Sequence, residues 1–171
     1  MKTLKPLILT ARIDKMDLAP FNSLRQQHFP PDRNVLAAHV TIFHRLPGEH
    51  LAQIQRFLDD IAVTQAPFFV DVTGVVHFGA GVAFAINSAE LDNVRARLRA
   101  QFMPWLGGQD LRNWQPHITV QNKVSRQRAD ALHRRLSQEF VPTKIKVTGV
   151  DLWRYISGPW KHEQSTMFLG V

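Results

Sequence analysis

His39-Val40-Thr41-Ile42 and His117-Ile118-Thr119-Val120 place an imidazole and a hydroxyl at the same spacing twice in one chain. On a β-strand successive side chains alternate between faces, so His39 and Thr41 point one way, as do His117 and Thr119. Two such strands side by side present two imidazoles and two hydroxyls to one groove. A free imidazole titrates near 6.5, so at neutral pH one ring can take a proton while the other gives one. The threonines can donate hydrogen bonds to non-bridging phosphoryl oxygens, and such positioning and charge stabilisation do most of the work in phosphoryl transfer. The set suits phosphoryl transfer without a metal. Two histidines with no nearby carboxylate make a thin ligand set, although His44 is close in sequence, so no metal site is expected.

The elements that must position these groups recur as well. With His39 set over His117, an offset of 78 residues, Val40 meets Ile118, Thr41 meets Thr119 and Ile42 meets Val120. Leu51, Ile54 and Leu58 fall over Ala129, Leu132 and Leu136, at helical spacing in both copies. Val72-Thr73-Gly74-Val75 then returns letter for letter as Val147-Thr148-Gly149-Val150, now at an offset of 75. The pattern is an internal duplication with copies at about 35–86 and 117–170.

Each copy reads strand, helix, strand, strand. The first predicts a strand over 35–43, a helix over 49–62, and strands over 68–78 and 82–86 that turn at Gly79-Ala80-Gly81. The second predicts a strand over 117–122, a helix over 126–140 capped by Ser125, and strands over 144–155 and 165–169. A strand over 6–13 and helices over 17–28 and 90–102 complete the set, the last with Ser88 near its start. On the motif strands Ala38, Val40 and Ile42 oppose His39, Thr41 and Phe43, while Ile118 and Val120 oppose His117, Thr119 and Gln121. Helices covering the apolar side leave the histidine side on an open, concave surface. The expected fold is α+β: two pseudo-symmetric lobes, antiparallel sheets lining a central groove, helices outside. No linker separates the lobes, so residues 1–171 are read as a single bilobal domain. Gly74 and Gly149 are read as strand bulges or close backbone approaches.

The composition narrows the partners. A chain of 171 residues with 44% apolar content can bury a real core. It carries 21 Lys+Arg against 14 Asp+Glu, spread along the chain, which favours anionic partners such as RNA or nucleotides. With no cysteine, disulfides, thiolate nucleophiles and Cys-based zinc sites are excluded. The N-terminal stretch Met1–Arg12 holds only Leu7-Ile8-Leu9 as an apolar run, too short for a signal-peptide core, and no stretch approaches a membrane span. A soluble cytoplasmic monomer is the expectation. There is no P-loop, Rossmann glycine pattern or serine nucleophile elbow, so no nucleotide cofactor is expected.

Two His-x-Thr-x motifs in a duplicated α+β frame resemble the 2H phosphoesterase superfamily, which includes bacterial 2′-5′ RNA ligase-like proteins and cyclic nucleotide phosphodiesterases. The resemblance runs from Leu7 to Val171. It implies a two-lobed fold, a metal-independent active site in the groove, and action on 2′,3′-cyclic phosphate or 2′-5′ phosphodiester ends. It also implies His39 and His117 as the acid–base pair and Thr41 and Thr119 as the phosphate binders. Ligase-like members often carry His-x-Thr-x-x-Arg at the second motif. Here that position is Asn122, with Lys123 next, so hydrolysis rather than ligation is expected.

Around the motifs, Phe43 and Trp160 are candidates to stack a base, with Arg45, Lys123, Arg112 and Lys161 near flanking phosphates. Trp105, Trp114 and Trp153 are assigned to packing, and His28, His50, His133 and His162 to the surface. His77 is assigned to core or surface. Two alternatives stay open: a non-catalytic nucleotide- or RNA-binding module of the same fold, and a phosphodiesterase for a small metabolite outside RNA.

Overall fold

A computed structural model describes residues 5–171; the first four residues of the N-terminal stretch lie outside the described residues. Seven strands and four α-helices follow one another as β1 (Leu7–Ile13), α1 (Lys15–His28), β2 (Thr41–Leu46), α2 (Leu51–Thr64), β3 (Phe68–His77), β4 (Val82–Asn87), α3 (Ala89–Phe102), β5 (His117–Gln121), α4 (Arg126–Glu139), β6 (Thr143–Tyr155) and β7 (Trp160–Met167). Three helices begin on side chains that take the first free N–H groups. Asp14 accepts from Met16 N, Ser88 from Leu91 N and Ser125 from Arg128 N. Ile54, Leu58 and Ile61 form the buried stripe of α2, and Leu91, Val94, Leu98 and Phe102 that of α3.

The strands form one sheet in the order β2-β1-β6-β3-β4-β5, with β7 on β6, and all their pairings are antiparallel. The class is α+β as expected, but the two lobes share a single continuous sheet, joined where β3 pairs with the first residues of β6. β1 pairs with β2 and with β6, while β4 pairs with β5 and with β3, so the two ends of the sheet are built alike. Both motif strands, β2 and β5, lie at the ends of that path.

The repeated Val-Thr-Gly-Val sits at equivalent registers. Thr73 is the extra residue between the pairs Val72↔Ile86 and Gly74↔Ala85, and Thr148 is the extra residue between Val147↔Ile13 and Gly149↔Arg12. Both glycines therefore stand at a bulge. Gly149 has a second constraint: a Cβ there would lie 2.2 Å from the Thr166 carbonyl oxygen on β7. A Cβ on Gly74 would meet nothing within 4 Å, because no strand pairs along that side of β3.

Two predicted strand ranges need correction. The first motif strand was expected over 35–43 but begins at Thr41, with 35–40 irregular. That segment is pinned by Asn22 of α1, which accepts from Ala38 N at 2.7 Å. The final strand begins at Trp160, five residues earlier than expected. Ser157 (φ 65°) and Gly158 (φ 136°) turn the hairpin tightly enough for Tyr155 to face Trp160. No helix among the described residues is long and apolar enough to cross a membrane.

Candidate active site

The two histidines are held alike. His39 Nδ1 lies 2.7 Å from the Ala37 carbonyl oxygen and His117 Nδ1 lies 2.8 Å from that of Gln115, two residues back in each case. A carbonyl only accepts, so each Nδ1 carries the proton and Nε2 is the working nitrogen of the neutral ring. Thr41, Thr119 and His117 line an open groove of about 900 Å³; His39, two residues before Thr41, is not among its lining residues and lies against the Trp160 ring, with centroids 4.9 Å apart. The motif carbonyls on the outer strand edges are taken by side chains. Trp114 Nε1 donates to Thr41 O, Arg95 Nε to Ile42 O and Arg25 Nη1 to Thr119 O. These bonds occupy backbone groups that an edge strand would otherwise leave unpaired.

The environments of the two rings differ. His39 is half-buried beside Trp160 of β7, whereas His117 is exposed, since among the described residues no strand occupies the matching place beside β3. Desolvation pulls His39 from 6.5 to about 4, against the raising effect of its bond to Ala37 O. Positive charge on Arg25, His117 and His44 pushes the same way as desolvation.

Both motif strands bulge just past the threonine, and this moves several predicted contacts. Thr10 faces Thr41 while Leu9 faces Phe43, so Ile42 is an extra residue. Phe43 is then fully buried, edge-on to Phe102 at 5.3 Å with Arg95 over its ring, and cannot stack a substrate base. Ala83 faces Thr119 while Val82 faces Gln121, so Val120 is the extra residue on β5. Gln121, expected beside His117, is buried with its Oε1 unpaired. Beyond the bulges it is His44 and Asn122 that line the groove. Lys123, at φ 63°, and Arg45 are exposed and not part of the lining. Trp160 lies against the His39 ring and is not part of the groove lining, whereas Arg112 lines the groove. Trp114, assigned to packing, lines it as well.

Buried charges were not foreseen. Arg25, Arg95 and Asp110 have almost no exposed surface, and burial lowers the pKa of both arginines. Each reads in sequence as an ordinary polar residue on a helix or loop. Only Arg25 and Arg95, next to apolar stripe positions, carry a hint of burial. Two of the histidines outside the groove have structural ties, whereas His28 Nε2 is buried without a hydrogen-bond partner. His77 Nε2 donates to Asp130 at 2.7 Å, and His50 stacks on Trp105.

Comparison with known proteins gives the family and the fold. The model of the 2′-5′ RNA ligase superfamily matches residues 13–159, a span that takes in both motifs. No curated protein sequence matches the chain. Among solved structures, TT0787 of Thermus thermophilus is similar at 16% identity with a TM-score of 0.68, over 96% of this chain and 98% of that one. LigT of E. coli complexed with 3′-AMP is similar at 16% identity and 0.66, over 96% and 98%. A third structure, described as a phosphoesterase, is similar at 17% identity and 0.65, again over 96% and 98%. These likenesses show the shared fold. With the family model spanning both motif strands and the helices and strands between them, the chain belongs to the 2′-5′ RNA ligase superfamily.

Proposed function

We propose that the groove is the active site of a metal-independent phosphodiesterase that hydrolyses 2′,3′-cyclic phosphate or 2′-5′ phosphodiester bonds of RNA ends or nucleotides. The observation that carries the reading is the matched pair of imidazoles, each with Nδ1 tied to a carbonyl and Nε2 left for proton transfer, beside two groove-lining threonines. The E. coli relative has been seen with 3′-AMP, ATP and NADP+. A nucleotide ligand fits this chain's formal charge of +7.

The asymmetry around the rings suggests the roles. His39, neutral at pH 7 because it is desolvated, is the base; the exposed His117 is the acid. Water attacks phosphorus while His39 Nε2 removes its proton, forming the new P–O bond. One ribose–oxygen bond to phosphorus breaks, and His117 Nε2–H protonates the departing oxygen. Thr41 and Thr119 donate to the non-bridging oxygens, where charge builds in the transition state. The product is a ribose phosphomonoester. Solvent then returns His39 to the neutral form and His117 to the protonated one.

The deciding measurement is turnover of nucleoside 2′,3′-cyclic phosphates and 2′-5′-linked oligonucleotides in excess EDTA. Wild type is expected to hydrolyse at least one member. His39→Ala and His117→Ala should each lose about 10³-fold in kcat, the scale of a general acid or base. Activity that survives either substitution, or that EDTA abolishes, overturns the mechanism.

A further inference from the structure

Beside the first motif histidine the protein places a ring of its own. Trp160 has contacts to two rings: His39, with centroids 4.9 Å apart, and Trp153, at 6.2 Å. The duplication supplies the matching pair in the second half. His117 corresponds to His39 at the offset of 78, and Phe78 corresponds to Trp153 at the offset of 75 that relates the two Val-Thr-Gly-Val copies. Phe78 and His117 both line the groove, and among the described residues no aromatic ring lies against either. The strand that carries Trp160 has no counterpart there. Over 74–77 β3 pairs with β4 on one side and, among the described residues, with no strand on the other.

The two walls also differ in chemistry. Ala83 faces Thr119, Ala85 faces His117, and Val76 pairs with Ala83; all three line the groove. At the matching places of the first half Thr10 faces Thr41, and Asp151 pairs with Thr10 and accepts from Arg12 Nη1 at 3.1 Å. The first half is thus furnished with an indole and an ion pair, the second with an apolar wall whose Val76 and Phe78 are exposed. A concave apolar wall beside two hydroxyls suits a ligand with a flat apolar part and a polar one. Phe78 is presented from a fixed turn. Its N–H donates to Gly81 O at 3.1 Å, Gly79 N donates to His77 Nδ1 at 3.0 Å, and a Cβ on Gly81 would run into the Gln121 carbonyl.

We propose that the substrate's nucleobase stacks between Phe78 and His117, in the place that Trp160 takes beside His39; this rests on the phosphodiesterase reading above. Stacking asks for a ring face on each side and for no hydrogen-bond donor, so it tolerates any base. Beside His39 the corresponding place is filled by the protein's own indole, so the nucleoside enters on the His117 side. That sets the departing ribose oxygen next to the acid and leaves the His39 side to water, as an in-line displacement requires. The substrate is then a nucleoside phosphodiester rather than a metabolite without an aromatic ring.

Affinity tests this apart from turnover. Dissociation constants are measured by calorimetry for adenosine 3′-monophosphate and for 1,4-anhydroribitol 3-phosphate, the same sugar phosphate without its base. Wild type is expected to prefer the nucleotide about thirtyfold, the scale of one base stacked on an aromatic side chain. Phe78→Ala should cut that ratio about tenfold while binding the base-free ligand as before. Phe78→Tyr should keep the ratio, and so should Phe69→Ala, which removes an exposed ring of β3 outside the groove lining. In NMR spectra the His117 ring protons should move upfield with the nucleotide and not with the base-free ligand. No preference in wild type, an unchanged ratio in Phe78→Ala, an equal loss in Phe69→Ala, or the same His117 shift with both ligands overturns the base site. A groove that shows the preference yet hydrolyses nothing sinks the phosphodiesterase reading and leaves the base site standing.

Discussion

His39 carries the clearest pH signature in the molecule. Its folded value of about 4 lies below the ordinary 6.5, so the unfolded chain takes up a proton between those limits that the folded chain does not. Stability from this group is complete above pH 6.5, falls as pH drops toward 4, and levels off below. Thermal melts across that window should show a shallower slope for His39→Gln than for wild type, and parallel curves would mean the ring is not desolvated when folded. If His39 is the base, the acidic limb of kcat/KM should likewise fall well below 6.5. Gln121 offers a test of the bulge. Its Oε1 is buried without a partner, so Gln121→Met should be neutral or stabilising, by about 1 kcal/mol or 2–4 °C in Tm. A clear drop in Tm would mean that the amide is satisfied after all.

At the level of elements, the two Val-Thr-Gly-Val copies have the same letters and different neighbours. A methyl group on Gly149 collides with β7, whereas one on Gly74 enters open space. Gly149→Ala should therefore cost about 2 kcal/mol through overpacking, roughly 6 °C in Tm. Gly74→Ala should change Tm little, since a strand glycine has no packing to lose. Equal effects at both sites would contradict the placement of β7. The same strand explains the inequality of the histidines, because Trp160 on β7 covers His39 and, among the described residues, no strand covers His117 in the same way. One added strand thus breaks the symmetry of a duplicated frame at the two motif histidines.

Across the whole molecule, the halves are tied by buried cations as well as by the sheet. Arg25 of α1 donates to Thr119 O on β5 and to Asn34 Oδ1, and its guanidinium lies over the Phe29 ring. Arg25→Met should fill much of the same space but leave that carbonyl without its donor and the Phe29 ring without its cation, costing about 1–3 kcal/mol and raising hydrogen exchange on β5 more than on β2. Uniform exchange would mean that Arg25 does not hold the second motif. The motif pair, the α+β class, most helix ranges and the glycine bulges were all legible in the chain, because periodicity and repetition record which face each element buries. Phe43, Gln121, His44 and Asn122 were not. Strict alternation puts Phe43 and Gln121 in the groove, and only the pairing register shows the extra residue that turns them into the core. Asp110 was equally invisible, since its partners at His44 and Arg45 lie 65–66 residues away in sequence. The sequence by itself determined the chemical groups and the frame that repeats them, which depend on residue type and local spacing. Which side chains reach the groove, and which histidine loses its water, was decided only by the tertiary structure, because bulges and desolvation arise from strands that meet across the fold.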